Sequence, residues 1–535
     1  MTADDERSAG ALAAVTYDHD DDTVIVIIGS GAAGGTLADE LTGKGINVVI
    51  LEAGRRFDLS EIENDEVAMD AKLSWSEPRV CTGTSIIARM FPDTPTSMCK
   101  AVGGSTLHWG GMCPRLLEHE FKTATIYGAI PGADIADWPF GLGELEPYYG
   151  RAEDKMGVTG THGIPRHAPT NNFKVMAAAA RRIGYTDVRM NNLAINSAPR
   201  NGRNACDHIG FCMQGCASGA KWSTANSELP RAEASGRCEL RAESMALRIE
   251  HGDDGRVRGV LYVDRAGREH LQAARAVCVA GNSIETVRLL LNSESSAFPQ
   301  GLANGSGLVG KYYMRHSSGN LFGEFGKPVN MHRGVQVAGL VRDEARHDPD
   351  RGFAGGFYIV TTSCGLPGFA ASLNPGKWGR AHASWLEAYD HVVFMGVIGE
   401  DLAIATNRVT LHGSEKDRYG LPIPCLHIDD HPNETPMQNY GYKKMDEMCM
   451  ALGARRTIET QAEPAYHHLG VCRMSANPRD GVVDPWGRAH DVLNLFVSDG
   501  SVFPSSGAAN PTLTVVALAI RQAEHITQMM AADEL

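Results

Sequence analysis

The stretch TVIVIIGSGAAGGTLADELTGKGINVVILEAG, residues 23–54, decides the fold. Its first apolar run, Val24 to Ile28, is unbroken and rich in β-branched side chains, which predicts a strand buried on both faces of a parallel sheet. Gly29, Gly31 and Gly34 follow at G-x-G-x-x-G spacing around Ala32 and Ala33, and Leu37 and Leu41 then recur at helical spacing. A second apolar run, Val48 to Leu51, ends at Glu52. Glycines at these positions let the chain turn tightly, let the backbone approach a pyrophosphate and let helix pack on strand, while the helix start offers free N–H groups to the anion. Glu52, 18 residues after Gly34, is placed to take the hydroxyls of an adenosine ribose. Strand, glycines, helix, strand and acid in this order predict a dinucleotide site. They do not by themselves choose between NAD and FAD.

A length of 535 residues predicts more than one domain. With 43% hydrophobic and 21% charged residues the chain has the makings of an ample core. A formal net charge of −14 argues against nucleic acid or an anionic membrane surface as the main partner. Residues 1–22 are polar and acidic, with Asp18, Asp20, Asp21 and Asp22 clustered, and read as a mobile tail. No basic-then-apolar segment opens the chain, so no secretory signal of its own is expected, and no apolar run approaches the ~20 residues needed to span a bilayer. Most of the 12 cysteines are scattered singly, which is not a disulfide framework.

Residues 55–100 read as mixed and loop-like. Ala101 to Gly111, AVGGSTLHWGG, is dense enough in glycine to let backbone lie close against a ligand. Trp138-Pro139 marks a break, and a short amphipathic helix follows it before residue 156. Residues 238–281 hold three strand-like runs separated by turns at Asp253-Asp254-Gly255 and Ala266-Gly267, which predicts a β-meander. The last run, Ala276 to Ala280, meets a glycine turn at Gly281-Asn282 and a helix from Ile284 to Leu291, and this return to buried strand, turn and helix reads as another element of the cofactor domain. Residues 316–462 lack any nucleotide signal, and their alternating stretches at 356–362 and 392–397 suit an antiparallel sheet over the substrate. Towards the end lie YHHLGVCRM, a buried strand from Leu495 to Val497, a turn at Asp499-Gly500, and an apolar helix from Thr512 onward.

From Thr23 to its end the chain resembles the glucose–methanol–choline oxidoreductases, FAD-dependent enzymes that oxidise alcohols. The resemblance rests on GSGAAG with Glu52, AVGGSTLHWGG, VCVAGNSIETVRLLLNS, the His-x-x-Gly at His467, and NLFVSDGSVFPSSGAANPTLT, in that order. It implies FAD rather than NAD. It also implies an α/β fold, α+β overall, in which a Rossmann-type FAD domain is built from 23–160, 225–315 and 463–535 beside an antiparallel-sheet substrate domain at 316–462. An insertion, 161–224, carries Cys206, Cys212 and Cys216 at C-x5-C-x3-C spacing. In this the chain is most similar to the iron–sulfur subgroup of sugar and polyol dehydrogenases, where three such cysteines hold a 3Fe–4S cluster. Thiolates are soft, anionic ligands suited to iron–sulfur chemistry, a fourth, non-cysteine ligand would allow 4Fe–4S, and buried inert thiols or a zinc site are the alternatives. The subgroup often has Pro after the third cysteine, where this chain has Ala217.

Oxidising an alcohol needs the hydroxyl proton removed as hydride leaves the carbon, and histidine is the side chain suited to take it near neutral pH. His467 and His468 are neighbours, and on an extended segment they would point to opposite sides. The motif, with Gly470 and Met474, selects His467 as the base and leaves His468 a structural role. The resemblance implies Asn510 as its partner, although Asn510-Pro511 also reads as the start of a helix. It places Gly103, Gly104, Ser105, His108, Trp109, Gly281, Asp499, Gly500, Pro511 and Thr512 against FAD. His108 is open to two readings, covalent attachment to the flavin or contact without a bond. The expected reaction is oxidation of a hydroxyl of a sugar, glycoside or polyol, with electrons passed through the cluster to a cytochrome c-type acceptor. A small accessory subunit would complete such a complex, in the cytoplasm or in the periplasm by co-export with a partner. Two rivals are an oxidase of the pyranose or glycoside kind that makes hydrogen peroxide, and a redox-silent lyase of the same fold.

Overall fold

The computed structural model describes residues 15–75, 77, 79–373, 378–460 and 466–535. Strand Ile25–Ile28 lies at the centre of a five-stranded parallel sheet, between Val48–Leu51 on one side and Ala276–Val279 on the other. Cys238–Arg241 and Leu495–Val497 form the two edges. The β-branched run is buried throughout because both faces are covered: Val24, Val26 and Ile28 enter one core, Ile25 and Ile27 another. Helix Ala32–Thr42 puts Leu37 and Leu41 into the second core, together with Ala519, Ala523 and Ile526 of helix Thr512–Ala531.

Successive strands run outward from Ile25–Ile28 in both directions, so the strand order reverses there. Ligands of open parallel sheets bind at such a switch point, beyond the strands' carboxyl ends. Gly29, Glu52 and Gly281 follow the ends of three of these strands directly or within one residue, and Asp499 follows a fourth.

The second layer is a six-stranded antiparallel sheet in the order Arg456–Glu459, Ser317–Glu324, Val392–Gly399, Phe357–Thr361, Gly339–Val341, Val188–Met190. Its last strand comes from the cysteine-bearing segment. On one side it presents Ser318, Asn320, Gly396 and Ile398 to the cavity described below.

Three expectations need correction. Residues 238–281 are not one meander. Cys238–Arg241 belongs to the parallel sheet, as does Ala276–Val279, the run expected to join the cofactor domain, and only Met245–His251, Val257–Val263 and Glu269–Ala273 form the antiparallel unit. The first run breaks where Glu243 takes a positive φ of 54°, and alternation alone does not tell which sheet a strand joins. Residues 55–100 hold helices Glu66–Leu73 and Ile86–Met90 and a strand, Val80–Thr82, that pairs with Pro422–His427. Of the expected tail, residues 1–14 lie outside the described residues, but Tyr17 is tied down. Its amide donates to Glu239 at 2.8 Å, its carbonyl accepts from Arg241, and the carbonyl of His19 accepts from Ala273. The boundary expected at 462–463 also falls outside the described residues.

Candidate active site

Between the two sheets lies a cavity of about 1010 Å³, at the upper end of what ligand sites offer. Gly29, Gly31, Ala32, Ala33, Glu52, Gly104, Ser105, His108, Trp109, Gly281, Asp499, Gly500, His467, Asn510 and Thr512 all line it. Gly34, Gly103 and Pro511 stand just behind its wall, and the three loop cysteines lie outside it.

The glycine turn is fixed by close backbone packing. A Cβ on Gly29 (φ +95°) would stand 2.5 Å from the Ala280 carbonyl oxygen, and one on Gly34 would stand 2.0 Å from that of Gly29. Gly31 differs, since a Cβ there would meet no protein atom within 4 Å and would project into open space. Only a ligand lying close against the backbone requires that glycine. Ser30 closes the turn, its amide and hydroxyl both donating to one Glu52 oxygen (3.0 and 2.7 Å). The other Glu52 oxygen accepts from the Gly54 amide at 2.7 Å and keeps lone-pair capacity for a ligand hydroxyl. Burial raises the Glu52 carboxyl above its usual range, against the pull of these hydrogen bonds. Gly103 donates its amide to the Ser30 hydroxyl at 3.0 Å, which docks the AVGGSTLHWGG segment on the turn and lays Gly104 against Gly31.

The histidine segment is placed by strand pairing. Met314 and Leu469 exchange both backbone hydrogen bonds at 3.0 Å in an isolated antiparallel bridge, which draws His316 and His467 together. Gly470 (φ +72°) makes the pairing possible, since a Cβ there would lie 2.1 Å from the Tyr312 carbonyl oxygen. Gly500 supports the other side, where a Cβ would be 2.5 Å from the His468 carbonyl oxygen. Asp499 holds that turn, accepting from the Thr286 hydroxyl at 2.6 Å and the Ser501 amide at 2.9 Å.

His316 and His467 meet edge to face, ring centroids 4.7 Å apart, with Nδ1 to Nδ1 at 2.6 Å. One proton serves that contact. Asn510 sets which ring carries it: its Nδ2 lies 3.4 Å from His467 Nε2. With the Asn510 amide as donor, Nε2 bears the lone pair and the His467 proton sits on Nδ1 towards His316, the tautomer in which Nε2 can exchange the amide for a substrate hydroxyl. Burial holds its pKa well below the usual histidine value, reinforced by the charges that His316 and His468 would carry if protonated. Asn510 does not cap helix Thr512–Ala531, which has no side-chain cap.

Contrary to the expected alternation, His467 and His468 both line the cavity. The segment before Leu469 is irregular, so strand alternation does not apply to it. His468 Nδ1 pairs with the Tyr313 hydroxyl at 2.9 Å, and burial lowers that ring to about 4. His108 Nε2 is buried without a partner among the described residues, and burial lowers that ring likewise to about 4, with Lys221 adding to the effect. His316, Lys221 and Tyr313 carry no motif. The signal that would reveal His316 is the pairing of segments 151 residues apart.

The cysteine loop is fastened to this wall. Lys221 is buried and donates Nζ to the carbonyls of Leu107 and Trp109 (both 2.9 Å) and of Cys212. Among the described residues no carboxylate pairs with it. Met213 and Gln214, between the second and third cysteines, line the cavity. Cys206 Sγ accepts the His208 amide at 3.4 Å and Cys216 Sγ the Lys221 amide at 3.3 Å. All three thiols are unpaired.

GMC oxidoreductase family models match residues 23–316 and 403–519. The 2-methyl-1,2-propanediol dehydrogenase of Mycolicibacterium austroafricanum is 33% identical over 95% of this chain and 96% of its own. The fructose dehydrogenase large subunit of Gluconobacter japonicus is 29% identical over 94% of this chain and 97% of its own. Among solved structures, one concerned with FAD modification in the formate oxidase of Aspergillus oryzae superposes with a TM-score of 0.68 at 16% identity. It covers 96% of this chain and 100% of that one, a likeness of fold.

Proposed function

The chain belongs to the GMC oxidoreductase family, and from that premise we propose that it is an FAD-dependent dehydrogenase oxidising a hydroxyl of a polyol, sugar or glycoside to a carbonyl. The observation that carries this reading is the placement of His467, its Nδ1 2.6 Å from His316 Nδ1 and its Nε2 3.4 Å from the Asn510 amide, at the far wall of a cavity whose near wall is a nucleotide turn. The cavity fits FAD: Gly31 leaves open space for a pyrophosphate at the turn that Gly29, Gly34 and Gly104 pack together, Glu52 has capacity for a ribose hydroxyl, and His108 Nε2 lacks a protein partner among the described residues. When bound, FAD supplies the acceptor for hydride leaving the substrate carbon.

The rest falls to the chain's own groups. His467 Nε2 takes the hydroxyl proton, and the Asn510 amide holds the substrate oxygen or the imidazole. The Nδ1 proton shared with His316 keeps the ring in the orientation that exposes Nε2. Because the ring is held neutral well below the ordinary histidine range, the rate of flavin reduction is expected to stay level as pH falls past 6.5 and to drop only below it. A pH profile from rapid-mixing experiments checks this, and an acid limb at or above 6.5 would contradict it.

The cysteine loop extends the reading to the acceptor. Three unpaired thiols, two of them accepting backbone amides, stand beside a buried ammonium with no carboxylate partner among the described residues, which suits an anionic metal–sulfur group. When bound by Cys206, Cys212 and Cys216, an iron–sulfur cluster of the 3Fe–4S type supplies one-electron transfer towards an external acceptor such as a cytochrome c. A small partner subunit belongs to this reading, in keeping with a relative named as a large subunit. Cys212→Ser is expected to leave flavin reduction by substrate intact and to slow reduction of a one-electron acceptor by about tenfold or more. Equal loss of both, or rapid peroxide formation in air by a protein without iron, would favour the oxidase alternative.

A further inference from the structure

We propose that Asn320 is a specificity-determining residue that takes hydroxyls of the second ring of a two-ring glycoside while the first ring is oxidised beside His467. It rests on the dehydrogenase reading of the cavity. Asn320 lies outside the motifs that mark the nucleotide turn and the histidine segment.

Strand geometry brings it to the site. His316, Ser318 and Asn320 alternate along one stretch of chain, and all three line the cavity. The residues between them face away. A Cβ on Gly319 would stand 2.8 Å from the Tyr442 side chain, and the Ser317 hydroxyl accepts from Gln438 at 3.2 Å, both on helix Glu434–Ala451. Side chains two residues apart on a strand share a face, so a row starts at His316, the partner of His467, and ends at Asn320. At ~3.3 Å per residue the row is about 13 Å long. A single sugar ring oxidised at His467 does not reach along it, whereas two linked rings do.

The neighbouring strand makes room for the amide. Asn320 pairs with Gly396, and Gly396 pairs with Val360 on the strand beyond. A Cβ on Gly396 would stand 2.5 Å from Asn320 Oδ1, with the next nearest atom 3.7 Å away. Gly396 does not have a positive φ, so it is the Asn320 side chain lying across it that requires a glycine there. Asn320 is half-buried, and among the described residues neither its amide nor the Ser318 hydroxyl has a hydrogen-bond partner. An amide and a hydroxyl each donate and accept, as sugar hydroxyls do. No charged side chain stands in the row, and Arg315 beside it turns its guanidinium to Asp430 at 2.7 Å and Glu434 at 3.2 Å. Ile398 and Val360 flank the row with apolar surface for the C–H faces of a ring. The row therefore suits a neutral, polyhydroxylated ligand and offers a carboxylate or phosphate no unpaired cation.

The test is anaerobic flavin reduction by the full-length flavoprotein with 1,2-propanediol, glucose, methyl glucoside, maltose, cellobiose and lactose, for wild type, Asn320→Ala, Gly396→Ala and the double variant. At least one disaccharide is expected to half-saturate wild type at about tenfold lower concentration than glucose does, the scale of one or two hydrogen bonds. Asn320→Ala should raise the half-saturating concentration of that disaccharide by about tenfold relative to that of 1,2-propanediol. The limiting rate should change far less, the pattern of lost binding that ground and transition states share. Gly396→Ala should act the same way by displacing the amide, and it carries the test if Asn320→Ala fails to fold. The double variant should be no worse than either single one, because both remove one interaction. A half-saturating concentration that rises equally for 1,2-propanediol and the disaccharide, or for neither, would overturn the assignment and leave the dehydrogenase reading standing. A wild type that takes glucose or 1,2-propanediol in preference to every disaccharide would do the same. A wild-type flavin that none of the six compounds reduces would overturn both.

Discussion

His467→Ala is expected to slow reduction of bound flavin by substrate by about 10²-fold or more, the usual scale for loss of a general base. Flavin content should stay at the wild-type level, because the residues that cradle the nucleotide lie on the other wall of the cavity. The size follows from His467 lining the cavity with Nδ1 spent on His316 at 2.6 Å, which leaves Nε2, beside Asn510, to take the proton. His468 cannot take over, since its Nδ1 is engaged by Tyr313 and its ring belongs to the side of the cavity where His108 lies. The checking measurement is the anaerobic single-turnover rate at saturating substrate. A variant that reduces its flavin at the wild-type rate would remove His467 as the base.

The second large effect is a contrast between two glycines of one turn. Gly34→Ala puts a methyl group 2.0 Å from the Gly29 carbonyl oxygen and 3.3 Å from the Ile27 side chain, so helix and strand must part. Overpacking of this kind costs about 1–3 kcal/mol of stability. It also shifts the backbone on which the nucleotide rests, so this variant should lose both thermal stability and flavin. Gly31→Ala places its methyl in open cavity, with no protein atom within 4 Å. It should melt like wild type when flavin-free, yet bind FAD more weakly by about tenfold or more, an effect of about 1.4 kcal/mol. Thermal melts with and without added FAD, together with flavin content after purification, separate the two. If Gly31→Ala binds FAD normally, the turn is not the pyrophosphate site.

These contrasts show what a linear reading reaches. The nucleotide turn was legible because most of its physics is local: the strand, the glycines and Glu52 fall within 30 residues, Gly34 packs on Gly29 and Gly31 opens to the ligand space, while Gly29 is fixed from outside that span by Ala280. The antiparallel sheet of 317–399 was legible from alternation, and Phe357–Thr361 does pair with Val392–Gly399. What stayed hidden depends on pairing across long stretches of chain. Cys238–Arg241 looks like its neighbour Met245–His251 in composition, and only the register with Val48–Leu51 sends it to the other sheet. His316 is a histidine without a motif until Met314 pairs with Leu469. Lys221 likewise gains its place only when it pairs with Ile195 and reaches the Cys212 carbonyl.

The most direct measurement is the absorption spectrum of the purified full-length protein under anaerobic conditions, before and after addition of 1,2-diols and simple sugars. The account predicts a bound flavin whose visible band bleaches with at least one of these alcohols. A protein that carries no flavin, or a flavin that every alcohol leaves oxidised, would contradict it.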